Sequence, residues 1–145
     1  MGILTDYFPA TPEQARAAAE HGPGDDLDPV RAKFVEPSVL GGALWEAVRH
    51  GALDASTETR YADDERVDDN DDEGPYLLRL KPDFVADLAA LPDDRIGQVA
   101  VVWATAEEWW GGADVEFLTE LVEELRRVAR AALADGMDAY CWICL

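Results

Sequence analysis

The stretch 114–145, DVEFLTELVEELRRVARAALADGMDAYCWICL, decides the fold. Val115, Leu118, Leu121, Val122, Leu125, Ala129, Ala132 and Leu133 recur at helical spacing, which predicts an amphipathic helix from Asp114 to about Asp135. Its charges are ordered along the axis. Asp114, Glu116, Glu120, Glu123 and Glu124 fill the first half and Arg126, Arg127 and Arg130 the second, as the helix dipole favours. Glu123 and Arg127 have the spacing of an i,i+4 ion pair. Gly136 ends the helix. The final Tyr140–Leu145 is almost wholly apolar, the pattern of a strand buried on both faces near the middle of a sheet.

Working outward, Ile3–Phe8 alternates as a strand and is expected to close at Pro9. Thr11, Pro12 and Gln14 then give three coincident signals of a helix start: an N-cap hydroxyl, proline at the first helical position and a capping-box partner. That helix is expected to end at His21-Gly22-Pro23. Val30–Glu36 has the length of a strand but carries Arg31, Lys33 and Glu36. A second helix is expected from near Ser38 through Leu40, Leu44, Trp45 and Val48, stopping at His50-Gly51. Gly41 and Gly42 within it point to a late start or to close packing. Tyr76–Lys81 reads as a strand, and Pro82 and Pro92 each open a further helix. Thr105 and Glu108 have capping-box spacing ahead of Trp109 and Trp110. Interleaved strands and helices predict one α/β domain over 1–145, with α+β as the alternative. It would hold a small mixed sheet of three to four strands and five to six helices, with both chain ends in the sheet.

The chain has 145 residues and a formal net charge of −19, from 31 acidic and 12 basic side chains. Thirteen aromatic residues and 48% hydrophobic composition argue for a packed core and against a disordered polyanion. A general basic surface for nucleic acid is excluded by the same charge, since phosphate neutralisation needs clustered Lys and Arg. The longest apolar runs fall far below the roughly 20 residues that span a bilayer. The start, Met1-Gly-Ile-Leu-Thr-Asp6, lacks a basic region and a signal-like apolar segment, so a cytoplasmic location is expected. Lys33 and Lys81 are the only lysines beside abundant alanine, a bias that suggests a GC-rich bacterial genome.

Charge is concentrated in one place. Residues 54–73 carry ten acidic side chains against Arg60 and Arg66, a net −8, with little apolar beyond Tyr61 and Val67. Asp63, Asp64, Glu65, Asp68, Asp69, Asp71, Asp72 and Glu73 are its candidate binding residues, in what reads as a solvated loop. Aligned on Gly74, Asp69, Asp71 and Glu73 fall at the first three ligand positions of a calcium loop. Leu80 then occupies the place of the bidentate Glu, and Pro75 intervenes, so no metal site is expected.

Cys141 and Cys144 have the spacing of a redox pair or half a zinc site. In a strand, however, residues three apart point to opposite faces about 10 Å apart, beyond disulfide reach. They read as two buried structural thiols, and neither a metal nor a cofactor is expected. In Thr105–Gly112, Glu107 and Glu108 sit beside Trp109 and Trp110, the setting in which a carboxylic acid serves as a general acid, so these two are the candidate catalytic residues. The cheaper account makes Glu108 a capping acid and the indoles core anchors.

Met1–Phe8, Glu107-Glu-Trp-Trp-Gly111 and Gly136–Leu145 resemble the corresponding segments of uncharacterised bacterial proteins, many of them actinobacterial. More distantly, the start and the helix-Gly-strand ending are similar to the YfbM-like family of unknown function. The resemblance covers the ends better than the middle. It implies a single α/β domain and carries over no site.

The function expected from these features is a protein-binding module engaging a basic partner protein, in the manner of an immunity protein, an antitoxin or a regulatory domain. Trp109 and Trp110 join the acidic residues as candidate contacts, and neither direct nucleic-acid contact nor membrane attachment is expected. The alternatives are a small enzyme using carboxylates in a Trp-lined cleft, and an acidic housekeeping domain whose charge serves solubility.

Overall fold

A computed structural model describes residues 3–53 and 65–145. Five strands form one sheet in the order β2-β1-β5-β4-β3, antiparallel at every pairing. They are β1 (Leu4–Ala10), β2 (Val30–Lys33), β3 (Glu65–Arg66), β4 (Tyr76–Arg79) and β5 (Asp138–Cys144). The helices are α1 (Pro12–Ala18), α2 (Gly42–His50), α3 (Pro82–Ala89), α4 (Ile96–Trp103) and α5 (Val115–Ala134). The architecture is thus a combination of helices and sheet, with β1 and β5 paired at its centre. Three to four strands in a mixed sheet is corrected to five antiparallel strands. The additional one is β3, two residues inside the acidic stretch, too short and too charged to show a period.

Side-chain alternation divides the sheet into two faces. Tyr7, Ala32, Ala139, Cys141 and Ile143 join the larger core beneath α2, α3, α4 and α5. Phe8, Ala10, Leu77, Tyr140 and Trp142 join a smaller core with Ala15 and Ala18 of α1. β5 is therefore apolar from Ala139 on, where both its faces are covered. The two thiols follow the alternation, Cys141 buried in the larger core and Cys144 half-buried on the α1 side. Full burial of both is corrected for Cys144, which is the last residue of the strand.

Helix α5 buries Leu118, Leu121, Val122, Leu125, Val128, Ala129 and Ala132, each larger side chain contributing about 2 kcal/mol. Val115 and Leu133 are exposed instead of facing the core. At its 20 residues the helix is roughly 30 Å long, whereas the seven residues of β1 span roughly 23 Å. Arg127 pairs with Glu124 at 3.0 Å and Asp28 at 2.9 Å in place of Glu123, because the loop before β2 brings Asp28 to that side of the helix.

The capping box of Thr11 and Gln14 forms in both directions, but α1 ends at Ala18, three residues before His21. Gly22 follows at φ +86°, and a Cβ there would stand 3.0 Å from the Trp142 ring. Pro9 does not close β1, which runs on to Ala10. Pairing with β2 stops at Tyr7, so Pro9 stands where one edge of β1 has no ladder to interrupt. Helix α2 does start late, at Gly42, after a π-turn over Pro37–Gly41. The Trp103 indole donates to Leu40 O of that turn at 2.8 Å and ties it to α4. No helix among the described residues is long and apolar enough to cross a membrane.

Candidate functional site

Among the places where the described residues gather polar or aromatic side chains, three bear on the candidates: the turn after β3, the connection between α4 and α5, and a cleft beside α1. The first holds most of the acidic candidates. Asp63 and Asp64 lie outside the described residues. From Glu65 onward the acidic stretch is a built turn. The side chain of Asp68 is 0% exposed, and its carboxylate accepts from Arg66 Nε and Nη2 and from the main-chain N–H groups of Asn70 and Leu77. Burial raises the Asp68 carboxyl, but these hydrogen bonds outweigh burial and hold it below the usual carboxylate range.

Arg66 is used up inside the turn. Its Nη2 also donates to Asn70 O and Asp71 O, and its guanidinium lies 4.6 Å from the Tyr76 ring centre. The Tyr76 hydroxyl donates to Asp72 O, and the Asn70 amide donates to Pro75 O and Ala19 O. With its interior satisfied in this way, the turn directs Asp69, Asp71, Asp72 and Glu73 outward, all exposed and none in an ion pair among the described residues. The only cation of the turn is held by the one acid that faces inward. Among the described residues no three His, Cys, Asp or Glu side chains are placed to hold a metal ion.

The Trp pair lies on a different element. Residues 107–109 form a single 3-10 turn between α4 and α5, and its N-cap is Ala106, with no side-chain capping bond. The expected capping box is corrected: the turn starts one residue later, so Thr105 stands before the N-cap, its hydroxyl donating to Val102 O at 2.6 Å. Glu107 is exposed and Glu108 half-buried. Trp109 packs edge-on against Trp103 with centroids 5.4 Å apart, while Trp110 is 93% exposed. The core-anchor reading of the indoles therefore holds for Trp109 and is corrected for Trp110. Its backbone takes the left-handed conformation, φ +56°, which turns the indole away from the core.

Alternation of β3, β4 and β5 brings together a third set that the linear sequence did not reveal. A cleft of about 170 Å³ opens between α1 and the sheet, with Tyr140 at its floor and Arg16, Glu65, Arg79 and Asp138 around it. Arg79 binds Glu65 at 2.6 Å and stands 3.7 Å from Asp138. Of these five residues only Glu65 was a sequence candidate. The available signal was the period-2 pattern of Tyr140 and Trp142, which places their side chains on the face that α1 only partly covers. A second cavity, beside Tyr7, Phe84 and Leu125 in the larger core, is apolar and only about 10 Å³, no larger than one water.

Compared with protein-family models, curated proteins and solved structures, the chain matches none of them.

Proposed function

We propose that the protein is a binding module whose acidic turn engages a basic partner protein, as immunity proteins, antitoxins and acidic regulatory domains do. The observation that carries this reading is the turn itself, in which the buried Asp68 carboxylate takes up Arg66 while Asp69, Asp71, Asp72 and Glu73 stand outside without a cation. Fixing four carboxylates on a rigid turn removes the ordering cost that a flexible acidic tail would bear on binding.

Arginine use elsewhere supports the same reading. Arg31 serves Asp6 and Asp25, Arg126 serves Asp93 and Leu91 O, Arg130 binds Ala89 O and Leu91 O, and Arg95 binds Val48 O. Cations spent on carbonyls and carboxylates of the chain itself leave the excess negative charge without counter-charges. Such a surface steers a cationic partner across a Debye length of roughly 8 Å at physiological salt.

Affinity capture with the wild-type chain and with the quadruple variant Asp69→Asn, Asp71→Asn, Asp72→Asn, Glu73→Gln tests this. The expected result is a basic protein retained at low salt, released at high salt and lost with the variant. Identical capture by both chains overturns the reading. Catalysis by Glu107 and Glu108 has no comparable support, since neither lines the cleft or the interior cavity.

A further inference from the structure

Tyr140 is 3% exposed and its ring stacks on Phe8 with centroids 5.9 Å apart. A buried tyrosine hydroxyl ordinarily finds a hydrogen-bond partner in the protein. That of Tyr140 has none among the described residues, and its residue forms the floor of the cleft beside α1. The hydroxyl keeps accessible surface and so opens into the cleft, where it can donate to a bound molecule. Burial, and then the nearby Asp138, push its pKa up, so it is a protonated donor at neutral pH.

The charges around it are arranged in two halves. On the α1 side stands Arg16, an exposed arginine whose guanidinium has no partner among the described residues. Across from it, on the sheet, Arg79 binds Glu65 tightly at 2.6 Å and Asp138 loosely at 3.7 Å. Asp138 is half-buried and keeps acceptor capacity beyond that contact. The four charges sum to zero inside a chain of net charge −19.

We infer that this cleft binds a small zwitterion of the α-amino-acid class, its carboxylate on Arg16 and the Tyr140 hydroxyl and its ammonium on Asp138. Charge decides the class. A simple anion must enter against the field of the whole protein, and a simple cation meets Arg16 and Arg79. A zwitterion carries no net charge through that field and satisfies both halves. Size agrees: about 170 Å³ is comparable to the roughly 150 Å³ of an engineered cavity that admits benzene, room enough for a small free amino acid.

The test is an NMR titration of the full chain with each free L-amino acid in turn, with acetate and methylammonium at the same millimolar concentration as controls. We expect at least one amino acid to move the amide resonances of Arg16, Val67 and Tyr140 saturably while neither control does so. Arg16→Ala, on an exposed helix position, and Tyr140→Phe, which keeps the stacked ring, are each expected to weaken that binding about tenfold. Absence of saturable shifts with every amino acid overturns the inference. So does an equal response to acetate, or unaltered binding by Arg16→Ala. Partner capture by the acidic turn is measured separately and does not depend on this outcome.

Discussion

Arg66 and Asp68, two residues apart, bind each other through both Nε and Nη2 at 2.9–3.1 Å, and the same carboxylate holds the N–H of Leu77 at 2.7 Å on the following strand. One acid thus closes the turn, caps β4 and consumes the local cation. Asp68→Ala strips the acceptor from two main-chain N–H groups, at a cost of about 1–3 kcal/mol. Amide exchange should accelerate most at Asn70 and Leu77, with the centre of α5 changing only by the global loss. Uniform acceleration along the chain would show that Asp68 does not organise the turn.

Asp68 and Asp6 give opposite pH signatures. The folded pKa of Asp68 is depressed, so its contribution is present above the unfolded value of about 3.9 and is lost as pH falls through the lower folded value. Asp6 is buried on β1, and burial raises its pKa even though Arg31 stands 3.2 Å away and partly offsets it. Its contribution is present below about pH 3.9 and is lost as pH rises through the raised folded value. Urea unfolding across pH should therefore show Asp6→Asn gaining on the wild type as pH rises from about 4 toward neutrality. Asp68→Asn should be at its greatest disadvantage near neutrality and recover relative to the wild type in acid. Parallel profiles for the three chains would contradict both assignments.

These two acids also show how much was legible. The amphipathic stripe of 118–132, the capping box at Thr11 and the doubly buried β5 follow from local spacing, and all three appear in the fold. The order of the acidic turn did not show, because Asp68 is stabilised by the Leu77 N–H nine residues on and by an arginine that composition alone would count as one of two isolated cations. Thr105 and Glu108 failed as a capping box because the turn begins one residue later, with Ala106 at its N-cap. The cleft was illegible because its walls come from α1, β3, β4 and β5, and only the sheet register sets them side by side.

Self-repulsion sets the response to salt. With net charge −19 and most cations occupied internally, the folded chain holds its surface acids closer together than the unfolded chain does. Raising sodium chloride from about 0.01 M, where the Debye length is roughly 30 Å, to about 0.15 M should raise Tm. The quadruple variant of the outer acids should show a smaller rise. A Tm that falls with salt would mean that the surface ion pairs outweigh the repulsion.

The thiols should react in order. Cys144 is half-buried at the end of β5 and Cys141 lies in the larger core with no exposed surface. Labelling of the native chain should modify Cys144 first and leave Cys141 protected until global unfolding. Equal rates would place Cys141 outside the core. Formation of a native intramolecular disulfide would contradict their placement on opposite faces of the strand.

Two tryptophans seven residues apart should respond to substitution with opposite signs. Trp103 is fully buried, and its indole N–H satisfies Leu40 O in the π-turn before α2. Trp103→Phe removes ring volume and leaves a buried carbonyl without its donor, so a loss of about 2–4 kcal/mol is expected. Trp110 is 93% exposed and holds φ +56°, a conformation that disfavours side chains by about 1–2 kcal/mol and that glycine adopts freely. Trp110→Gly gives back part of that strain through greater unfolded-state entropy, so a net gain of about 0.5–1 kcal/mol is expected. Chemical denaturation of the two variants separates these effects. A marked loss on Trp110→Gly would mean that the indole is held by contacts its exposure does not reveal, and the strain argument at that position would have to be abandoned.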